Sequence, residues 1–228
     1  MQTAIVTGAM GGIGRSVVER FKADGYQVVQ IDYNNPDDLP DLVQMDLRGS
    51  DIETKFDALL ASYPQAAVLV NCAGWYVPQD LFDVDLAGYD SNFNVNVRAV
   101  FLASRAFARH LKNHALPGAI VNVSSVSGRM GSAIIDYAAS KSAVENLTKS
   151  LAKALAGSMI RVNAVAPGIV DTPMGRRIPA HVLEERIKTI PLRRIATPED
   201  IANVIAFLAS DQAAYVNGQT LAVCGGMS

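Results

Sequence analysis

Runs of consecutive apolar, mostly β-branched residues recur along the chain at positions 4–7, 28–31, 42–45, 68–70, 120–123, 162–165 and 221–223. Continuous runs of this length suit strands of a parallel sheet covered on both faces, not the apolar–polar alternation of a half-exposed strand. Between them, residues 15–23, 52–62, 86–111, 137–156 and 199–208 read as helices. Seven strands joined by helical crossovers predict an α/β, doubly wound fold with a seven-stranded parallel sheet, whose ligands lie at the carboxyl ends of the strands.

Two connections modify this outline. Between Asp32 and Asp46 the chain reads YNNPDDLPDLVQM, in which Pro36 and Pro40 break any helix and too few residues remain for a full crossover. A loop is therefore expected to join the second and third strands. Residues 172–197 form the one extended irregular stretch, with a short helix expected near 181–188, and are placed as a substrate lid. No repeat, low-complexity tract or linker divides the sequence, so residues 1–228 are expected to form a single domain.

Composition narrows the function classes. A net charge of −2, from 20 basic and 22 acidic residues without long runs, gives no electrostatic footprint for nucleic acid or an anionic membrane. The start of the chain lacks the features of a signal peptide, and no apolar run approaches the roughly 18 residues of a membrane span, so a cytoplasmic location is expected. Cys72 and Cys224 have no partner at metal-ligand or redox spacing. His110 and His114, four apart on an expected helix, are read as solvated helix residues in preference to a zinc site, and no metal is expected.

The candidate chemistry begins after the first strand, where Thr7, Gly8, Ala9, Met10, Gly11, Gly12, Ile13 and Gly14 lead into a helix. Glycines at 8, 12 and 14 permit a tight turn, close approach of backbone to a pyrophosphate, and close packing of helix on strand. Alone, such a pattern is equally a structural turn. Here Asp32 follows Gly14 by 18 residues at the end of the second strand, a spacing that favours a dinucleotide.

TGAMGGIG resembles the phosphate loop of the short-chain dehydrogenase/reductase family, and the resemblance runs along nearly the whole chain. Asn71, Cys72, Ala73 and Gly74 are similar to the family's NAG motif, Asn96 to its helix asparagine, and Ser125 with Tyr137 and Lys141 to its serine and YxxxK pair. Pro167, Gly168 and Thr172 match the PG motif and the following threonine; TPEDIANVIAFLAS and the closing VCGG resemble the family's C-terminal pattern. Ala99 and Cys224 depart from the glycine and aspartate often found there, and the third crossover helix is missing.

The resemblance implies a Rossmann fold and an enzyme that uses NAD on a small-molecule alcohol or ketone, assembled as a homodimer or homotetramer. It implies catalytic roles for Asn96, Ser125, Tyr137 and Lys141. It also implies cofactor contacts from Gly8, Gly12, Ile13, Gly14, Asp32, Asp46, Asn71, Ala73, Gly74, Tyr137, Lys141, Pro167, Gly168, Val170 and Thr172.

Tyr137 and Lys141 are four apart on an expected helix and so share a face. A free tyrosine has a pKa near 10, and lowering it by about 3 units takes roughly 4 kcal/mol of preferential stabilisation of the phenolate, which a nearby ammonium and an oxidised nicotinamide are suited to supply. Tyr137 then acts as base in alcohol oxidation and as acid in ketone reduction. Seen alone, a tyrosine and lysine at this spacing are simply helix neighbours, Ser125 is a strand-end or turn residue, and Asn96 satisfies buried backbone groups. Trp75, Tyr76, Met130, Ile134, Ile135 and Met174 suggest an apolar or aromatic substrate, while Arg176, Arg177 and Arg193 offer a site for a carboxylate.

The alternatives are an NADP-linked carbonyl reductase and a nucleotide-sensing protein with a dead site. Asp32 argues for NAD, because its carboxylate can accept hydrogen bonds from ribose hydroxyls and repels a 2′-phosphate. No basic group is expected near it except Arg15, which follows the glycine loop.

Overall fold

The computed structural model describes residues 1–35 and 37–228. In chain order its principal elements are β1 (Thr3–Thr7), α1 (Gly12–Ala23), β2 (Gln27–Asp32), β3 (Leu42–Gln44), α2 (Ile52–Ala61), β4 (Ala66–Asn71) and α3 (Leu86–Phe93). They continue as α4 (Ala99–Asn113), β5 (Gly118–Val123), α5 (Ser127–Met130), α6 (Ile135–Leu155), β6 (Ile160–Pro167), α7 (Ala180–Thr189), α8 (Pro198–Ala209) and β7 (Thr220–Val223). The strands form one seven-stranded sheet in the order β3-β2-β1-β4-β5-β6-β7, and every pairing is parallel. The chain reverses direction across the sheet between β1 and β4, the switch point at which a doubly wound fold opens a ligand crevice.

Both faces of the sheet are covered, which is why its strands read as unbroken apolar runs. In β1, Ile5 joins Ile31, Phe56, Leu69, Phe107 and Ile120 on one side, while Ala4 and Val6 join Val17, Phe21, Val70, Ile201 and Leu208 on the other. This period-two division places α2 and α4 against one face and α1 and α8 against the other. Phe56, Phe107 and Ile5 have no exposed surface; truncation of such a phenylalanine to alanine costs about 3–5 kcal/mol.

The predicted helix over 86–111 is divided. After α3 the chain makes a π-helical turn, Asn94–Arg98, before α4. The wide turn shifts the helical register between α3 and α4, and Asn96, at its centre, bonds across to the backbone of Trp75. β2 passes to β3 without a helix among the described residues; Pro36, one of the two prolines expected to break a helix there, lies outside them. The expected helix near 181–188 is α7.

Candidate active site

At the carboxyl ends of β1 and β4 a groove of 530 Å³ opens, bordered by Gly8, Gly12, Ile13, Gly14, Asp32, Asp46, Ala73, Gly74 and Thr172. Nine of the residues singled out in the sequence thus meet on one surface. Its volume falls in the usual range for small-molecule sites. A larger cleft of 870 Å³ lies at the opposite edge, among the strand starts at Gln2, Gly118 and Ile160, and none of the sequence-predicted site residues borders it.

The backbone at the groove floor is tightly drawn in. Gly8 has φ +68°, and a Cβ there would lie 2.7 Å from the backbone nitrogen of Ala73; at Gly14 a Cβ would lie 2.0 Å from the carbonyl oxygen of Gly8. Both positions therefore require glycine. Gly11 caps α1 without a side-chain bond, and the first turn carries no acidic residue, so the helix end offers its amide donors and positive end of the dipole to an anion. By contrast α8 is closed by a capping box of Thr197 and Asp200. An open helix end, a glycine floor and a carboxylate at the neighbouring strand end fit the pyrophosphate and ribose of a dinucleotide.

That carboxylate is fixed: Asp32 Oδ2 accepts from Met10 N at 2.9 Å and Oδ1 from Asn34 N at 3.2 Å. Its surroundings correct one expectation. Arg15, which pairs with Asp37 at 2.6 Å, is not the only cation on this side: Arg48 borders the groove and lies 5.1 Å from the Tyr33 ring centroid and 5.7 Å from that of Trp75. Three residues of sequence separate it from β3, and only the fold brings it beside Tyr33 and Trp75. It is held by Asp46 through contacts of 2.8, 3.0 and 3.2 Å, which lower the Asp46 pKa and raise that of Arg48.

Behind Gly74, whose Cβ would lie 3.6 Å from its Nζ, Lys141 is 4% exposed, donates from Nζ to the Val123 carbonyl at 2.8 Å and sits 5.7 Å from the Tyr137 ring centroid. Burial lowers its pKa to about 8. Burial pushes Tyr137 up to about 12, with the Ser125 side chain pulling the other way and Tyr76 adding to the rise. The expectation of a lowered tyrosine pKa thus meets the opposite tendency from the protein alone, since desolvation outweighs the neighbouring dipoles. The Tyr76 ring stands edge-on to Tyr137 at 4.9 Å. Ser125 is buried and its Oγ accepts from Ser127 N at 3.2 Å. Asn96, fully buried, grips Trp75 from both sides of its amide: Oδ1 accepts from Trp75 N at 2.7 Å and Nδ2 donates to Trp75 O at 3.0 Å.

The remaining candidates are placed differently. The Asn71 side chain turns into the core and donates to Asn122 Oδ1 at 2.8 Å and Ser104 Oγ at 3.1 Å, so its amide ties β4 to β5 and α4. Pro167 ends β6, Gly168 follows it against Cys224, and Val170 is buried beside the Ala196 bridge; none borders the groove. Cys72 is half-buried on the groove wall, and enclosure of its thiol pushes the pKa up to about 12. Of the 172–197 arginines, Arg176 pairs with Asp171 at 2.8 Å, Arg177 donates to the Tyr76 carbonyl at 3.1 Å, and Arg193 donates to the Lys188 carbonyl. His110 is buried, with its ring 4.4 Å from that of His114, and among the described residues no group of three or more His, Cys, Asp or Glu side chains is placed to hold a metal. No helix among the described residues is long and apolar enough to cross a membrane.

Comparison with known proteins gives this geometry a context. A family model described as enoyl-(acyl carrier protein) reductase matches residues 8–228. A 3-oxoacyl-(acyl-carrier-protein) reductase of Thermotoga maritima is 36% identical, over 99% of this chain and 97% of that protein. Among solved structures, a protein of Beutenbergia cavernae whose suggested activity is NAD(P) dependent gluconate 5-dehydrogenase, with bound NADP, superposes with a TM-score of 0.93 at 35% identity, covering 99% and 96% of the two chains. A 4-hydroxyisoleucine dehydrogenase complexed with NADH gives 0.94 at 28% identity, covering 100% and 99%.

Proposed function

Because the chain belongs to the short-chain dehydrogenase/reductase family, we propose that it is an NAD-dependent oxidoreductase interconverting a secondary alcohol, or a dihydrodiol, and the corresponding ketone. The observation that supports this reading is that Gly74, on the wall of the groove that holds Asp32, lies against Lys141 Nζ, 3.6 Å from where its Cβ would be, with the Tyr137 ring centroid 5.7 Å from that nitrogen. When bound, NAD takes up the hydride in oxidation and NADH gives it back in reduction.

Tyr137 handles the proton: its hydroxyl donates to the carbonyl oxygen in reduction, and its phenolate accepts from the alcohol in oxidation. Ser125 holds the same substrate oxygen by a hydrogen bond. Lys141 Nζ lies 5.7 Å from the Tyr137 ring centroid, and in its charged form the ammonium opposes the burial that pushes the Tyr137 pKa up. Asn96 holds the Trp75 backbone, and a Cβ at Gly74, on the groove wall, would lie 3.8 Å from Asn96 Oδ1 and 3.6 Å from Lys141 Nζ. Residues 172–197 serve as the lid, a role in keeping with α7, none of whose residues is buried.

The NAD preference rests on Asp32, since like charges about 4 Å apart repel by roughly 4 kcal/mol at an effective dielectric of about 20. Arg48 and Arg15 favour the second reading, an NADP-linked carbonyl reductase, but each is already paired with a carboxylate. The half-buried Trp75 and Tyr76 and the engaged arginines favour an apolar cyclic or aryl substrate over a small anionic one. A cytoplasmic homodimer or homotetramer with no nucleic-acid or membrane partner completes the proposal. A panel of secondary alcohols and ketones, read by NADH absorbance with both cofactors, tests it: turnover with NAD at a higher kcat/KM than with NADP is expected. No turnover with either cofactor, despite tight NADH binding, would leave a nucleotide-sensing protein in its place.

A further inference from the structure

We propose that Asp136 is a positioning residue that, acting through Asn92, holds Asn96 with its carbonyl oxygen as the acceptor facing Trp75 and the Lys141 side of the site. The inference rests on the catalytic reading above only where turnover is concerned. Asp136 precedes Tyr137 in the first turn of α6 and is 6% exposed. Its Oδ2 accepts from Asn92 Nδ2 at 2.8 Å, and its Oδ1 has no partner among the described residues.

A side-chain amide has two ends of nearly equal size and opposite hydrogen-bonding sense, whereas a carboxylate accepts and does not donate. Asp136 therefore selects the NH2 end of Asn92. The Asn92 carbonyl is then turned toward Asn96, whose Nδ2 donates to it at 2.7 Å. Asn96 Nδ2 also lies 3.0 Å from Ser140 Oγ, and the Ser140 hydroxyl donates onward to the Tyr137 carbonyl at 2.8 Å, so toward Asn96 it accepts. Asn96 Nδ2 also donates to the Trp75 carbonyl at 3.0 Å, in the same sense, so every bond leaves Asn96 Oδ1 as the terminal acceptor, 2.7 Å from Trp75 N. A methyl group added at Gly74 would meet that oxygen at 3.8 Å and Lys141 Nζ at 3.6 Å, so the two border the same small space. Aligned amides polarise one another in a low-dielectric interior, and a chain that begins on a carboxylate ends on a more negative oxygen.

Trp75 is the chain's single tryptophan, so protein labelled with [15N]tryptophan gives one backbone amide signal, from the N–H donated to Asn96 Oδ1. Asp136→Asn should move this proton upfield by a few tenths of a ppm, because the chain loses its fixed direction. Adding Asn92→Asp, which sets a carboxylate directly against the Asn96 nitrogen, should move it back. In an Asn96→Ala background Asp136→Asn should produce no further shift. Asn92→Ala cuts the chain while keeping Asp136 and should reproduce the upfield shift, which keeps the test available if Asp136→Asn does not fold.

In turnover, Asp136→Asn should lower kcat about tenfold with KM for NAD nearly unchanged, and the paired exchange should restore it. An unmoved Trp75 signal in Asp136→Asn, or one that moves equally in the Asn96→Ala background, overturns the inference. The tryptophan signal is read without substrate. A wild-type protein inactive on the whole panel therefore counts against the enzyme reading and leaves this outcome separately decided.

Discussion

The Asp32 end of the groove and the buried cluster behind Gly74 are built from different materials. Around Tyr137, the polar groups are buried and few: Lys141, Asp136, Asn92, Asn96 and Ser140 are at most 6% exposed, and their partners are largely backbone carbonyls and amides. Around Asp32, the charges are paired in water's reach, with side-chain exposures of 50% and 43% for Arg15 and Asp37 and 37% and 40% for Arg48 and Asp46. Exposed ion pairs contribute about 0–1 kcal/mol each, whereas removing one partner of a buried charged contact costs about 3–5 kcal/mol. The buried cluster therefore tolerates little change, whereas the exposed pairs near Asp32 can be altered by degrees.

The largest effect among the supporting variants should come from Lys141→Ala. It removes the only cation that lies against the Tyr137 ring among the described residues, together with its bond to the Val123 carbonyl. Steady-state kinetics should show kcat/KM falling about a hundredfold or more. A loss below threefold would erase the contrast between the two regions.

A graded response is expected of Asp32→Ala. The wild-type preference for NAD, about tenfold or more in kcat/KM, should narrow to within about threefold, mostly through KM for NADP. Equal use of both cofactors by the unaltered protein would contradict the role given to Asp32.

The smallest effect belongs to a surface charge remote from both regions. Asp200 is lowered to about 2 from 3.8, first by its bonds to Arg194 and then by the Thr197 backbone, so the folded state binds its proton more weakly than the unfolded state. Its contribution is complete above about pH 4 and is lost as pH falls through 2. With a third of the side chain exposed, screening reduces the contribution to about 1 kcal/mol. Asp200→Asn should lower stability by that amount at pH 7 in urea unfolding, with the difference shrinking toward pH 2.

Much of this architecture is legible from the chain alone, for physical reasons. The central strands β1, β4, β5 and β6 are buried along nearly their whole length and so stand out as mainly apolar runs, and α8 announces itself by Thr197, Pro198 and Asp200. The glycine loop was readable because Gly8 and Gly14 meet backbone where no side chain fits. The π-helical turn at Asn94–Arg98 was not, since one widened turn leaves helical periodicity almost unchanged. Arg48 escaped notice because only the β2–β3 pairing brings it beside Tyr33. Asp136 and Asn92 are 44 residues apart, and neither looks unusual until burial forces each to find a partner. Asn71 shows the reverse case: its motif is recognisable, but the side chain serves the core. The Tyr137 pKa depended on burial, which spacing along a helix does not convey.

The most direct test of the central claim is Tyr137→Phe, which removes the transferable proton and keeps the ring against Tyr76. Turnover of the best substrate from the alcohol panel is followed by NADH absorbance, and NADH affinity by fluorescence of the single tryptophan. The account predicts a kcat lower by about a thousandfold with NADH affinity within about threefold of wild type. Turnover near the wild-type value would contradict it.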